Sequence, residues 1–419
     1  MLWYPLPKAS RIMWYVSTRG MAPRVDFEGA LFSGYAPDGG LFMPEELPQL
    51  SRETLHQWST LSYPSLVKEL CALFIGPELI PREDLNDLIH RAFSRFRHKE
   101  VVHLSRLRNG LNVLELWHGV TYAFKDLSLC CTAQFLQYFL EKREKHVTVV
   151  VGTSGDTGSA AIESVQGAKN VDIIVLLPKG HCTKIQELQM TTVLKDNVHV
   201  FGAGCIAQKM GLPIRLVVTV NCNDIIHRTV QRGDFSLSET VKPTLASAMD
   251  IQVPYNMERI FWLLSDSDSQ GTRALMEQFE RTQSVSLPKE LQSKLSLAVM
   301  SESMSDEAIT QTMGRCWEEN QYLLCPHSAV AVSYHYQQMD RQQPSPPRCC
   351  LAPASAAKFP EAVLAAGLTP ETPLEILALE KKETRCTPMR KSDDWTLILR
   401  NTIEEIGRQW TGHVLSASN

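Results

Sequence analysis

The chain has 419 residues, 44% of them hydrophobic, and a formal net charge of -4 at pH 7. These values predict a globular protein of two or three domains. They argue against a nucleic-acid partner, because no Lys/Arg-rich run is present, and against a membrane protein, because the longest apolar runs are strand-sized. Eleven scattered cysteines without a C-x-x-C pair indicate a reducing compartment, the cytoplasm, and give no zinc-ligand spacing.

Residues 13–105 carry helical periodicity, clearest over residues 63–74 and 82–96, broken by Pro/Gly turns. They predict an α-rich N-terminal domain. From about residue 106 to residue 359 the pattern changes to strand, helix, strand, with predicted strands at residues 147–151, 172–177, 198–201, 214–220 and 349–352. This alternation predicts an α/β region with mainly parallel sheets, followed by a helical segment over residues 360–419.

Lys125 is the first candidate for chemistry. It follows Ala123 and Phe124 and precedes a helical run over residues 127–145, so its amine is expected near a helix N-terminus, on the exposed rim of a site. The positive end of a helix dipole disfavours an ammonium ion and favours the neutral amine that forms a Schiff base with an aldehyde. The alternative is an ordinary surface lysine at a helix start.

A glycine-bracketed turn, Gly152-Thr-Ser-Gly-Asp-Thr-Gly158, follows a β-branched strand and precedes a helix. Backbone N–H groups at such a turn suit a carboxylate or a phosphate. An ordinary strand-to-helix turn is the alternative. Neither a dinucleotide-binding nor a P-loop motif is present.

The chain resembles the threonine synthases and the vertebrate threonine synthase-like proteins, which are pyridoxal-phosphate enzymes of fold type II, the tryptophan-synthase-β type. The resemblance runs from about Met13 nearly to the C-terminus and rests on several ordered motifs. They are Tyr15-Val-Ser-Thr-Arg-Gly20, Ala36-Pro-Asp-Gly-Gly-Leu-Phe42, His118-Gly-Val-Thr-Tyr-Ala-Phe-Lys-Asp126, Thr153-Ser-Gly-Asp-Thr-Gly-Ser-Ala160, Asn221-Cys-Asn-Asp224, Ala246-Ser-Ala-Met-Asp250 and Cys325-Pro-His-Ser328.

The resemblance implies roles for individual residues. Lys125 would bind the aldehyde of pyridoxal 5'-phosphate, Asp156 would lie on the ring-hydroxyl side, and Ser328 would face the pyridine nitrogen. A hydroxyl at that position leaves the nitrogen largely unprotonated. From the residues alone, Ser328 could equally end a buried strand after Tyr322. The substrate carboxylate would bind at Ser154, Gly155, Thr157 and Gly158.

The resemblance also implies an activity: a phospho-lyase that converts O-phosphothreonine or O-phosphohomoserine to 2-oxobutanoate, ammonia and phosphate, working as a monomer or homodimer. Threonine synthase proper is an alternative. The stretch Leu351-Ala-Pro-Ala-Ser-Ala-Ala-Lys-Phe359 favours the lyase, because threonine synthases usually show a His-Pro pair before Ala-Lys-Phe. Lys358 there is either a phosphate partner or a packed lysine.

One departure from the family concerns the cofactor phosphate. After residues 197–201, family members continue for several dozen residues to a Gly/Asn-rich phosphate loop, whereas here Gly202-Ala-Gly204 leads directly to the later helix. The sequence therefore predicts an internal deletion, an incomplete second sheet and a product of alternative splicing. The corresponding alternative function is a catalytically impaired chain that acts as a non-enzymatic binding or secreted factor. Residues 1–12 precede the usual family start and are expected to reflect an upstream start; they weakly resemble a mitochondrial presequence.

Overall fold

The structure is a computed structural model that describes residues 12–153, 155–177, 182–195, 197, 215–341, 347–387 and 394–417. Within these residues, no helix combines the length and apolar character that a membrane span requires. The strand predicted at 198–201 and the junction at Gly202 lie outside the described residues.

The helices in the described part of the chain are α1 (Phe27–Ser33), α2 (Arg52–Trp58), α3 (Tyr63–Cys71), α4 (Arg82–Phe93), α5 (Lys125–Arg143), α6 (Asp156–Val165), α7 (Lys184–Thr191), α8 (Ile225–Arg232), α9 (Met257–Leu264), α10 (Ser269–Thr282), α11 (Lys289–Ala298), α12 (Asp306–Asn320), α13 (Pro326–Asp340), α14 (Pro360–Ala365), α15 (Leu374–Leu377) and α16 (Trp395–Ala417). The strands are β1 (Tyr15–Ser17), β2 (Phe42–Pro44), β3 (His103–Arg106), β4 (Leu111–Glu115), β5 (Val147–Gly152), β6 (Val171–Leu176), β7 (Leu216–Val220), β8 (Asp234–Ser236), β9 (Ser284–Ser286), β10 (Val299–Ser303) and β11 (Arg348–Ala352).

The N-terminal region is rich in helices, and side-chain caps set where they begin. Ser51 accepts the backbone N–H of Thr54 at the start of α2, and Ser62 accepts that of Ser65 at the start of α3. The apolar face of α4 packs against α5, whose Phe135 and Phe139 belong to the same buried cluster. One hydrophobic core therefore crosses residue 105 and fixes α5, the helix that begins at Lys125.

The parallel strand pairs lie in the region predicted to be α/β. β5 pairs with β6, β7 with β10, and β4 with β11, while β3 adds to β4 in the antiparallel direction. In the described residues these pairs form separate sheets of two or three strands. Helix α13 covers the β4–β11 sheet and contributes Val330 and Val332 to its core. The chain is thus mixed α/β, as predicted.

The β4–β11 pairing brings two distant loops together. Glu115 lies opposite Ala352, so the segments that follow both strands leave the same edge of the sheet. They stay paired, because Phe124 N–H donates to the Pro353 carbonyl at 2.7 Å and Ser355 N–H donates to the Tyr122 carbonyl at 3.1 Å. Consequently the chain immediately before Lys125 runs alongside the chain immediately before Lys358.

Candidate active site

Lys125 is the first residue of α5, at the helix start where the sequence predicts it. It is partly buried, not on an exposed rim, and its ammonium lies 4.5 Å from the centroid of the Phe124 ring. Burial lowers the pKa of Lys125; the positive charge of Lys358 lowers it further, while Asp156 opposes the effect. Burial therefore favours the neutral amine, in the same direction as the helix dipole expected from the sequence.

Lys358 and Asp156 form a buried ion pair beside Lys125. Lys358 is 0% exposed, its Nζ lies 2.6 Å from Asp156 Oδ1, and it also donates to the Thr121 carbonyl at 2.8 Å. Burial acts to raise the pKa of Asp156, but Lys358 and then Lys125 outweigh it and hold this pKa at about 2. Asp156 is therefore a carboxylate at neutral pH, facing two lysines.

The turn before α6 is held by its own side chains. The Thr153 hydroxyl accepts the N–H groups of both Gly155 and Gly158 at 3.1 Å. Gly155 has φ +146°, and a Cβ there would lie 2.6 Å from Gln186 Cδ, so a side chain is excluded for two reasons. Thr157 is partly buried in the first turn of α6. Ser154 lies outside the described residues.

Gln186 links this turn to the next helix. It completes a capping box with Thr183 at the start of α7, accepting the Thr183 N–H at 3.0 Å. Its amide also donates to Asp156 Oδ1 at 2.8 Å. Gln186 was not predicted as a site residue from the sequence, although a threonine followed three residues later by glutamine is a recognisable capping pattern.

Asp126 anchors the loop before Lys125. Its two carboxylate oxygens accept the N–H and the hydroxyl of Thr121, each at 2.8 Å. Burial raises the pKa of Asp126 to about 6, against the opposing effect of these bonds. Gly119 packs onto this carboxylate, since a Cβ there would lie 2.2 Å from Asp126 Oδ2.

Ser328 lies in the first turn of α13, not at the end of a strand. Pro326 occupies the first helical turn and Cys325 is the N-cap residue, so these two residues were the signals for a helix. The Ser328 hydroxyl lies 3.0 Å from Cys325 Sγ. It lines a cavity of about 200 Å³ shared with Ala356 and Ala357, the residues directly before Lys358.

His327, the neighbour of Ser328, connects the two parts of the site. It is 7% exposed, and its ring packs against Phe359 with 4.6 Å between centroids. Burial lowers the pKa of His327 to about 4, and the charges of Asp156, Lys125 and Lys358 also act on it. The N-terminus of α13 therefore adjoins the cluster of Lys125, Asp156 and Lys358. In the described residues, no group of three or more His, Cys, Asp or Glu side chains could hold a metal ion.

Comparison with known proteins bears on this arrangement. Family models described as "Threonine synthase N terminus" and "Threonine synthase, C-terminal" match residues 14–93 and 328–399. Threonine synthase-like 2 of Pongo abelii is 73% identical over 483 residues, a match that covers 97% of this chain and 100% of that protein. The chain belongs to the threonine synthase family.

Solved structures of the family share its fold. Threonine synthase from yeast superposes with a TM-score of 0.86 at 30% identity, covering 95% of this chain and 99% of that one. The PLP-bound threonine synthase from Brucella melitensis gives a TM-score of 0.83 at 30% identity, covering 90% and 96%. The predicted fold class is confirmed.

The family comparison also bears on the chain's length. The alignment to the Pongo abelii protein spans 483 positions, includes all of that protein and takes in 97% of a chain of 419 residues. Several dozen positions of that family member therefore have no counterpart in this chain.

Proposed function

We propose that this chain is a pyridoxal-phosphate-dependent phospho-lyase that acts on O-phosphothreonine or O-phosphohomoserine. The observation that carries the proposal is Lys125: a partly buried lysine whose pKa burial lowers, at the start of α5, beside the buried pair of Asp156 and Lys358. A lysine in this state is the nucleophile that an aldehyde cofactor requires. Family membership supports the same reading.

The described residues fit the two ends of pyridoxal phosphate that carry its reactivity. Lys125 would hold the aldehyde, and Ser328, which lines a cavity, would face the ring nitrogen. The group would supply an aldehyde for the substrate amine and a ring that draws electrons away from the substrate α-carbon. Ser328 would offer a neutral hydroxyl to the ring nitrogen, which would leave the ring a weaker electron sink and favour elimination.

The protein's own groups would then act on the substrate. Neutral Lys125 would remove the proton from the α-carbon, because it is held at the reacting centre by α5. The turn formed by Ser154, Gly155, Thr157 and Gly158 at the positive end of α6 would bind the substrate carboxylate, as the family resemblance implies. Lys358 would place a positive charge beside the departing phosphate. Loss of phosphate and addition of water leave 2-oxobutanoate and ammonia, so the reaction balances.

A second candidate function has its own supporting observation. The positions that the Pongo abelii protein has and this chain lacks favour an impaired variant that works without catalysis. On the family resemblance the missing part includes the loop that holds the cofactor phosphate. Charge-assisted hydrogen bonds contribute about 1.5 to 3 kcal/mol each, so losing several would weaken cofactor binding by roughly three decades.

The experiment measures 2-oxobutanoate, ammonia and phosphate released from O-phosphothreonine by three proteins: this chain, a version with the missing segment restored, and the Lys125→Ala variant of that restored version. Release by the restored protein that Lys125→Ala abolishes supports the lyase. We expect this chain to be much less active than the restored one. Equal activities would show that the short junction rebuilds a phosphate site, and activity of the Lys125→Ala variant would refute the assignment of the lysine.

A further inference from the structure

His327 carries an unused hydrogen-bond donor at the edge of the candidate active site. Its Nε2 lies 3.0 Å from the backbone nitrogen of Ala248, in the short helical turn Ser247–Met249. A backbone N–H can only donate, so Nε2 accepts and carries no proton. Because burial lowers the pKa of His327 to about 4, the ring is neutral at pH 7 and its single proton lies on Nδ1.

The Nδ1–H group is buried without a partner among the described residues. Leaving a buried donor unpaired costs about 1 to 3 kcal/mol, so an acceptor supplied by a bound molecule would stabilise this group. The His327 ring is 7% exposed and lies in the field of Asp156, Lys125 and Lys358. Since Nδ1 holds the proton, it offers no lone pair to a metal ion; it requires an acceptor.

We propose that His327 is a ligand-binding residue whose Nδ1–H donates to an anionic oxygen, of the phosphate or carboxylate class, on a molecule bound beside Lys125. Lys125 and Lys358 lie beside this place, and the carboxylates of Asp156 and Asp126 are already engaged, the first by Lys358 and Gln186 and the second by Thr121. The contact to Ala248 fixes the ring, so the donor is oriented before the ligand arrives. The identity of the ligand as substrate or cofactor rests on the proposed function; the binding of a phosphate group does not.

Two substitutions separate a binding role from a structural one. His327→Gln places an amide oxygen near the Nε2 position, where it accepts the Ala248 N–H, but leaves no donor at the Nδ1 position. His327→Asn places an amide N–H near the Nδ1 position and leaves nothing for Ala248. The full chain and both variants are titrated with inorganic phosphate, O-phosphothreonine, pyridoxal phosphate and pyridoxal, and their thermal unfolding is recorded.

We expect His327→Gln to unfold at the wild-type temperature and to bind phosphate-bearing probes about ten- to a hundredfold more weakly. We expect His327→Asn, assayed at a temperature where it is folded, to keep affinity within about threefold. Weaker binding of pyridoxal phosphate with unchanged binding of pyridoxal assigns the contact to the cofactor phosphate. Weaker binding of O-phosphothreonine alone assigns it to the substrate.

Several results would overturn the proposal: His327→Gln binding every probe like the wild type, the two variants losing affinity equally, or the wild type binding none of the probes. A different measurement would refute the lyase proposal: no formation of 2-oxobutanoate by the segment-restored protein. The comparison of affinities between the His327 variants would remain valid in that case.

Discussion

Replacing Lys358 by methionine should destabilise the protein in a way that depends on pH. The substitution keeps the length of the side chain and removes the charge that faces Asp156 at 2.6 Å. Holding the pKa of Asp156 at about 2, against its ordinary 3.8, corresponds to about 2 to 3 kcal/mol of folding free energy at neutral pH. Breaking a buried pair from one side costs about 3 to 5 kcal/mol, so we expect a loss of about 3 kcal/mol.

The sign of the pH dependence follows from Asp156. In the wild type its folded pKa is depressed, so its stabilising contribution is complete above about pH 4 and is lost as the pH falls through about 2. In the variant the carboxylate is buried with only Lys125 and the Gln186 amide to compensate, so its pKa rises. Protonation then relieves the penalty, and the difference between the two proteins should narrow as the pH falls from 7 towards 4.

Urea unfolding at pH 7 and pH 4.5 measures this difference. The double variant Lys358→Met with Asp156→Asn should recover most of the lost stability at pH 7, because it removes both charges of the buried pair. Lys184→Met is a matched control, since Lys184 is exposed and its ion pair to Glu187 should contribute little. A loss of equal size at both pH values, or a double variant as unstable as the single one, would refute the reasoning.

Three further substitutions test the supports of the site by urea unfolding. Gly119→Ala should destabilise the protein by several kcal/mol, because the new Cβ would lie 2.2 Å from Asp126 Oδ2. The control Gly314→Ala, which points into open space inside α12, should stabilise the protein by about 0.5 to 1 kcal/mol. Equal effects of the two substitutions would contradict the close packing at Gly119. Thr153→Val should cost about 1 to 3 kcal/mol, because the Gly155 N–H loses its acceptor and the Gly158 N–H keeps only the Gly155 carbonyl; a neutral result would mean that water replaces the hydroxyl. With its pKa raised to about 6, Asp126 binds a proton more tightly in the folded state than in the unfolded chain, so the wild type should lose stability as the pH rises from about 4 to about 6. Asp126→Asn should remove this loss. An unchanged pH profile would show that Asp126 does not cause it.

Local patterns in the sequence predicted the elements that carry the site. The β-branched run before Gly152 forms β5, and the helix expected after Lys125 is α5. These signals are short-range, because each depends only on residues close together in the chain: the period of a strand, a glycine turn and the period of a helix. The helices predicted at residues 63–74 and 82–96 end three residues early, at Cys71 and Phe93.

Contacts between distant parts of the chain could not be predicted in this way. The sequence did not decide whether Lys358 binds a phosphate group or is a packed lysine. Its place beside Asp156 depends on the parallel pairing of β4 with β11, strands that are more than two hundred residues apart. The burial of Lys125 depends on the same pairing, which is why the sequence placed it on an exposed rim.

His327 shows a different limit. In the sequence it is only one residue of the family motif Cys325-Pro-His-Ser328, and its tautomer is fixed by Ala248, a residue far along the chain. Ser328 was open between a strand end and a cofactor contact, although Pro326 marked a helix start. The capping role of Gln186 could have been predicted from the spacing of Thr183 and Gln186, but its hydrogen bond to Asp156 could not.

The most direct test of the central claim is where the cofactor attaches. The segment-restored protein and this chain are incubated with pyridoxal phosphate, the visible absorbance of the bound cofactor is recorded, and borohydride reduction is followed by peptide mapping. We predict a single label on Lys125, absent from the Lys125→Ala variant and weaker in this chain. A label on Lys358 or on any other lysine, or no visible absorbance in either protein, would contradict this assignment.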